Sequence, residues 1–139
     1  MKKVQVLLST YNGEKYLKEQ LDSIIAQKGV DVHILARDDG SKDDTIKILE
    51  GYENIDIIKG SNIGVCKSFF ELINKSGEYD YYSFADQDDV WDCDKLVIAI
   101  NKLEKCNSKP AVYASNTRLV DANLTFLKCE DDNPKTTLG

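Results

Sequence analysis

The sequence predicts a Rossmann-like α/β domain, an open and mostly parallel sheet with helices on both faces. Three observations carry this. Short apolar runs alternate with segments whose apolar residues recur at helical spacing. The clusters STYN, RDDGS, GSN and DQDD each follow one of those runs. The chain has 139 residues, the size of one domain with a proper core. Repeated strand–helix alternation implies crossover connections, which join parallel strands with a right-handed path.

The elements follow in order. VQVLL at 4–8 predicts a buried strand, ended by the turn and cap residues of STYNG. Between Glu14 and Gln27, Tyr16, Leu17, Leu21, Ile24 and Ile25 recur at helical spacing, and Gly29 is a stop signal. VDVHILA at 30–36 predicts the second strand, DDTIKILEGY a helix opened by acids, and NIDIIKG a third strand. Gly64 to Asn74 predicts a helix bearing Val65, Phe69, Phe70, Leu72 and Ile73. Tyr79 to Ala85 predicts the fourth strand and Asp94 to Cys106 a further helix. After Pro110, AVYAS predicts a fifth strand, and TRLVDANLTFL two short strands turning at Asp121-Ala122-Asn123. The final CEDDNPKTTLG has no apolar period and predicts a tail or a cut edge.

Composition narrows the function. A net charge of −6 with scattered lysines gives no stripe to track phosphates, so nucleic acid is not an expected partner. Cysteines at 66, 93, 106 and 129 match neither CxxC nor paired zinc spacing, and are expected to be unpaired thiols. The start MKKVQVLLST is too short in its apolar run for a signal peptide or membrane span, so a soluble, cytoplasmic chain is expected. His33 is the single histidine, lies in an apolar run, and is expected to be structural.

In parallel sheets ligands bind beyond the carboxyl ends of the strands, near the reversal of strand order. All four polar clusters fall on that predicted edge. The densest is Asp86, Asp88 and Asp89 in DQDD, whose mutual repulsion calls for a cation or hydrogen-bond donors. Carboxylates suit Mg²⁺ or Mn²⁺, which bind phosphate oxygens alongside one or two carboxylates. Neither a Walker A sequence nor GxGxxG follows the first strand, where Gly13 is the one glycine of STYNGEKY. Tyr11 could stack on a base and Asp39 accept an imide N–H, a pair that suits uracil or thymine. Equally, Tyr11 could close the core, and Asp38 and Asp39 could form a turn and helix cap.

STYNGEKYLKEQLDSIIAQ, RDDGSKDDT, NIGVCKSF and FADQDDVW, in that order and spacing, resemble the start of an inverting family 2 glycosyltransferase of the GT-A fold. The resemblance covers about residues 3 to 128, and DQDDVW is similar to enzymes of bacterial surface polysaccharide synthesis, rhamnosyltransferases among them. It implies that residues 1–139 form a single nucleotide-sugar-binding domain. Thr10 and Tyr11 would flank the base, and Asp39 would bind its imide edge. Asp86-Gln87-Asp88 would stand at the DXD motif, with Asp88 on a Mn²⁺ or Mg²⁺ ion and Asp86 facing ribose or sugar. Asp89 would cap the following helix, Trp91 pack the loop, and Asn62 with Gly64 shape a loop near the phosphates.

The implied activity is transfer of a sugar from a UDP- or dTDP-sugar to a saccharide or lipid-linked saccharide acceptor in cell-surface polysaccharide synthesis. The acceptor would bring the protein to the inner face of the membrane. The family's general base comes from a later segment, and Glu130, Asp131 and Asp132 are not assigned that role. The chain is therefore expected to be cut before its acceptor segment, and a non-catalytic nucleotide- and metal-binding module is the alternative. A receiver-type signalling domain also clusters acids at strand ends, but its acid pair follows the first strand, where Ser9 and Thr10 stand here.

Overall fold

The computed structural model describes residues 1–85 and 90–105, together with the backbone of two strands at 112–114 and 118–121. The elements run β1 (Lys2–Thr10), α1 (Leu17–Ile25), β2 (Val30–Asp38), α2 (Thr45–Glu50), β3 (Ile55–Lys59), α3 (Val65–Lys75), β4 (Tyr81–Ala85), α4 (Lys95–Glu104), β5 (Val112–Ala114) and β6 (Arg118–Asp121). The sheet order is β3-β2-β1-β4-β6-β5. β1 pairs in parallel with β2 and β4, and β2 with β3. The order reverses at β1, which fixes where a ligand is expected. A receiver domain has order 2-1-3-4-5, so this topology sets that alternative aside.

β1 and β2 each reach two residues beyond the predicted apolar run. Ser9 and Thr10 stay in the ladder opposite Arg37 and Asp38, because strand pairing satisfies their backbone whatever the side chain is. Successive strand residues point to opposite faces. Val4, Val6, Leu8, Ile34 and Ala36 therefore pack with Leu17, Leu21 and Ile24 of α1, Leu49 of α2 and Leu96, Ala99, Ile100 and Leu103 of α4. Leu7, Leu35 and Phe84 meet Leu72 of α3 on the other face, with Phe69 and Ile73 beside them. Burial on both faces is what a continuous apolar run in a parallel strand requires.

The structure corrects several sequence expectations. α1 spans only Leu17–Ile25, and its Tyr16 and Ile25 neighbours at the expected ends of the stripe are exposed while Gln20 is buried. At the other edge β6 pairs antiparallel with β4, and β5 antiparallel with β6. The second arm of the hairpin expected at 121–123 lies outside the described residues. The N-cap position of α4 is Asp94, not Asp89. Asp94 makes no capping bond. Instead Gln27 reaches across, its Oε1 accepting the Leu96 N–H at 2.9 Å and its Nε2 donating to the Asp92 carbonyl at 2.6 Å. Cys66 is disulfide-bonded and so is not one of the expected unpaired thiols, whereas Cys93 is free and exposed. His33 is half-exposed, 3.4 Å from Asp31 and tilted against the Tyr79 ring. Trp91 packs into the larger core cluster.

Leu21 has no exposed surface and sits in that cluster. Leu21→Ala is expected to lower unfolding free energy by about 2–5 kcal/mol, read from denaturant titration. A smaller loss would mean that α1 collapses readily onto the gap.

Candidate nucleotide site at the carboxyl edge of the sheet

Even-numbered strand positions at this edge fasten loops. The Asp38 carboxylate is fully buried. It accepts the Thr10 hydroxyl at 2.8 Å, the Ser41 hydroxyl at 2.6 Å and the Ser41 N–H at 2.7 Å. Asn12, held at φ 48, donates its N–H to Ser41 Oγ and accepts the Lys42 N–H, each at 2.8 Å. Its left-handed backbone is one that Asn tolerates better than most residues. Gly13 N–H donates to Thr45 Oγ1 at 2.9 Å. Glu14 and the Asp43–Asp44 pair exchange bonds, Glu14 N–H to Asp43 Oδ2 and Asp44 N–H to Glu14 Oε1. Burial alone would raise the Asp43 carboxyl. Hydrogen bonds from the Thr45 hydroxyl and from the Thr45 and Glu14 N–H groups outweigh that and hold it below its ordinary value. The loops after β1 and β2 are thereby laced to each other.

Odd-numbered positions build a second, separate network facing α3. Arg37 Nη1 donates to Asp39 Oδ1 at 2.6 Å and to Ser68 Oγ at 3.2 Å, and its Nη2 to the Ser61 carbonyl at 3.2 Å. Ser9 Oγ donates to the same Ser68 oxygen at 2.7 Å. The two ion-pair side chains are 5% and 6% exposed, so each charge depends on the other. Asp39 also accepts Ile63 N–H on Oδ1 at 2.9 Å and Gly64 N–H on Oδ2 at 3.1 Å. The loop from Gly60 to Gly64 is folded around this pair. Gly60 gives the guanidinium room, since a Cβ there would lie 2.1 Å from Arg37 Nη2. Gly40, at φ 85, lets the β2–α2 turn approach the backbone of Asn62.

Above this network opens a pocket of about 320 Å³, lined by Ser9, Thr10, Tyr11, Asp39, Asn62, Gly64, Val65 and Phe69. Tyr11 is 42% exposed and Val65 60%, so two apolar groups stand at its rim rather than in the core. Of the sequence-predicted site residues, Thr10, Tyr11 and Asp39 therefore meet in one cavity. Thr10 does so with its hydroxyl committed to Asp38. Asp86, Gln87 and Asp88 lie outside the described residues. Among the described residues no cluster of His, Cys, Asp or Glu could hold a metal. A larger cavity of about 500 Å³ lies at the opposite edge, lined by residues such as Met1, Gly29, Asp80 and Glu104, and contains none of the predicted site residues.

Sequence reasoning gave no role to Arg37 or Ser68. A signal for Arg37 existed. An arginine inside the apolar run ILARDD needs a buried acid, and the two-residue strand period puts Asp39 on its side and Asp38 on the other.

Strand order, a parallel core sheet and a pocket at the reversal of that order define a Rossmann-like α/β domain. Residues 5–126 match Glycosyl transferase family 2, and the chain belongs to that family. It is 42% identical over 118 residues to the dTDP-rhamnosyl transferase RfbG of Shigella flexneri, covering 78% of this chain and 40% of that protein. Among solved structures, TarS 1–349 from S. aureus in complex with UDP superposes with a TM-score of 0.68 at 28% identity, covering 74% of this chain and 32% of that fragment. The mannosyltransferase PcManGT from Pyrobaculum calidifontis, in complex with GDP-Man and Mn²⁺, shares the fold at 15% identity with a TM-score of 0.73, over 86% of this chain and 44% of PcManGT. The chain thus spans less than half the length of each of these proteins.

Gly60→Ala tests the packing beneath the pocket. Arg37 is held by three partners and cannot swing away cheaply, so the substitution is expected to cost about 1–3 kcal/mol of stability in thermal unfolding. An unchanged midpoint would mean that the guanidinium has another position open to it.

Proposed function

We propose that this chain is the donor-binding part of an inverting glycosyltransferase that moves a sugar from a UDP- or dTDP-sugar to a saccharide or lipid-linked saccharide acceptor in cell-surface polysaccharide synthesis. The observation that carries the reading is the pocket itself, in which the exposed ring of Tyr11 and the buried carboxylate of Asp39 line the same cavity. A pyrimidine base stacks on the ring while its imide N–H meets the carboxylate. Thr10 contributes to the wall beside the base. Support for a uracil or thymine nucleotide comes from two similar proteins, a dTDP-rhamnosyl transferase and TarS, whose structure holds UDP.

The diphosphate and sugar extend from this pocket toward the segment that follows Ala85. β4 lies beside β1, with Ala85 opposite Leu8, and Asp86-Gln87-Asp88 follow Ala85 in the sequence. The donor set there is carboxylate oxygen, which fits Mn²⁺ or Mg²⁺ better than softer metals. In this reading Asp88 holds the ion and Asp86 faces ribose or sugar, with Gln87 between them. Bound there, the ion would neutralise charge on the departing nucleoside diphosphate. The protein works in the cytoplasm, at the inner face of the membrane through its acceptor. Among the described residues no helix is long and apolar enough to cross a membrane.

Calorimetry with UDP and dTDP in the presence of Mn²⁺ tests base and metal separately. Tyr11→Ala is expected to weaken both nucleotides by roughly 1–3 kcal/mol, the range for base–aromatic stacking. Unchanged affinity would take the ring out of the site. Asp88→Asn is expected to abolish the Mn²⁺-dependent part of binding and leave the metal-independent part in place. Retention of the full Mn²⁺ effect would remove Asp88 from the ion.

A further inference from the structure

We propose that Arg37 is a positioning residue that sets base specificity, by occupying one oxygen of Asp39 so that the pocket accepts a single imide N–H and rejects guanine. The inference rests on the base-site reading of Asp39. An ionised carboxylate has about four acceptor directions, two on each oxygen. Three are taken. Arg37 Nη1 at 2.6 Å and Ile63 N–H at 2.9 Å fill Oδ1, and Gly64 N–H at 3.1 Å takes one direction of Oδ2. Among the described residues one direction remains, on Oδ2.

Uracil and thymine present one N–H on their imide edge, and one free acceptor satisfies it. Guanine presents N1–H and the 2-amino group side by side, a pair that a carboxylate answers with both oxygens. Here its second donor would face an oxygen already filled, and beyond that oxygen a buried guanidinium. A polar group desolvated without a partner is the usual source of strong discrimination. Arg37 is itself fixed by Ser68 Oγ and the Ser61 carbonyl, so it cannot yield Oδ1 without breaking the loop that forms the pocket wall. Arg37 does not line the pocket and acts through Asp39 alone.

The test is calorimetry at fixed Mn²⁺ with UDP, dTDP, GDP and N3-methyl-UDP on the unmodified chain, Arg37→Met and Arg37→Lys, each confirmed as folded by thermal unfolding. The unmodified chain is expected to bind GDP and N3-methyl-UDP at least about tenfold more weakly than UDP. In Arg37→Met the preference for UDP over GDP should shrink by about tenfold, with Arg37→Lys between. Arg37→Lys retains the charge without the fork and decides the matter if Arg37→Met does not fold. Equal affinity of the unmodified chain for GDP and UDP overturns the proposal. So does a folded variant that weakens UDP and GDP by the same factor, the mark of a merely structural arginine. If N3-methyl-UDP binds the unmodified chain as well as UDP does, Asp39 does not read the imide, and the base-site reading itself falls. If the methyl analogue is rejected while the UDP-to-GDP ratio is the same in every variant, Arg37 alone loses its role.

Discussion

A buried carboxylate at the end of β2 must be compensated, and the Arg37–Asp39 pair is how this chain does it. Removing one partner of such a pair typically costs about 3–5 kcal/mol, because the other charge is left without water or counter-ion. The pair also organises what surrounds it. Asp39 gathers two consecutive N–H groups at the start of α3, and Arg37 gathers a carbonyl from the same loop and a hydroxyl from α3. The Gly60–Gly64 loop makes no strand or helix of its own. Its conformation is set by these side-chain bonds, and Gly60 is needed beneath the guanidinium for them to form.

The central strand explains why two networks coexist without competing. β1 is paired with β2 along its whole length and with β4 from Val4 to Leu8, and it is buried from Val4 to Thr10. Alternation sends Thr10 and Asp38 to the side of α1 and α2, where they tie the first two loops together. It sends Ser9, Arg37 and Asp39 to the side of α3, where the pocket opens. Adjacent aspartates thus sit differently: Asp38 has its carboxylate bonded to Thr10 and Ser41, while Asp39 pairs with Arg37 and lines the cavity.

Much of the architecture was legible in residue order. The βα alternation, the helices on both faces and the gathering of polar clusters on one edge follow from apolar periodicity and from the chirality of parallel connections. Element ends were less legible, because Ser9, Thr10, Arg37 and Asp38 look like turn residues and remain in strands. Their backbone groups are satisfied by neighbours that sequence does not reveal. The position of β6 against β4 was also not legible, since a short apolar strand carries no record of which edge it will join. The Gln27 cap on α4 joins residues far apart in sequence and leaves no local motif.

The sequence by itself determined the class of fold, the family and the edge where chemistry is expected, since each depends on patterns within a few residues or on ordered motifs. Tertiary structure alone decided which aspartate lines the pocket, which is spent on the loops and that Arg37 pairs with the first. Those choices turn on hydrogen bonds from Ser61, Ile63, Gly64 and Ser68. These groups come within reach of β2 only when the crossover through β3 folds back and α3 packs on the sheet, so no local pattern encodes the pairing.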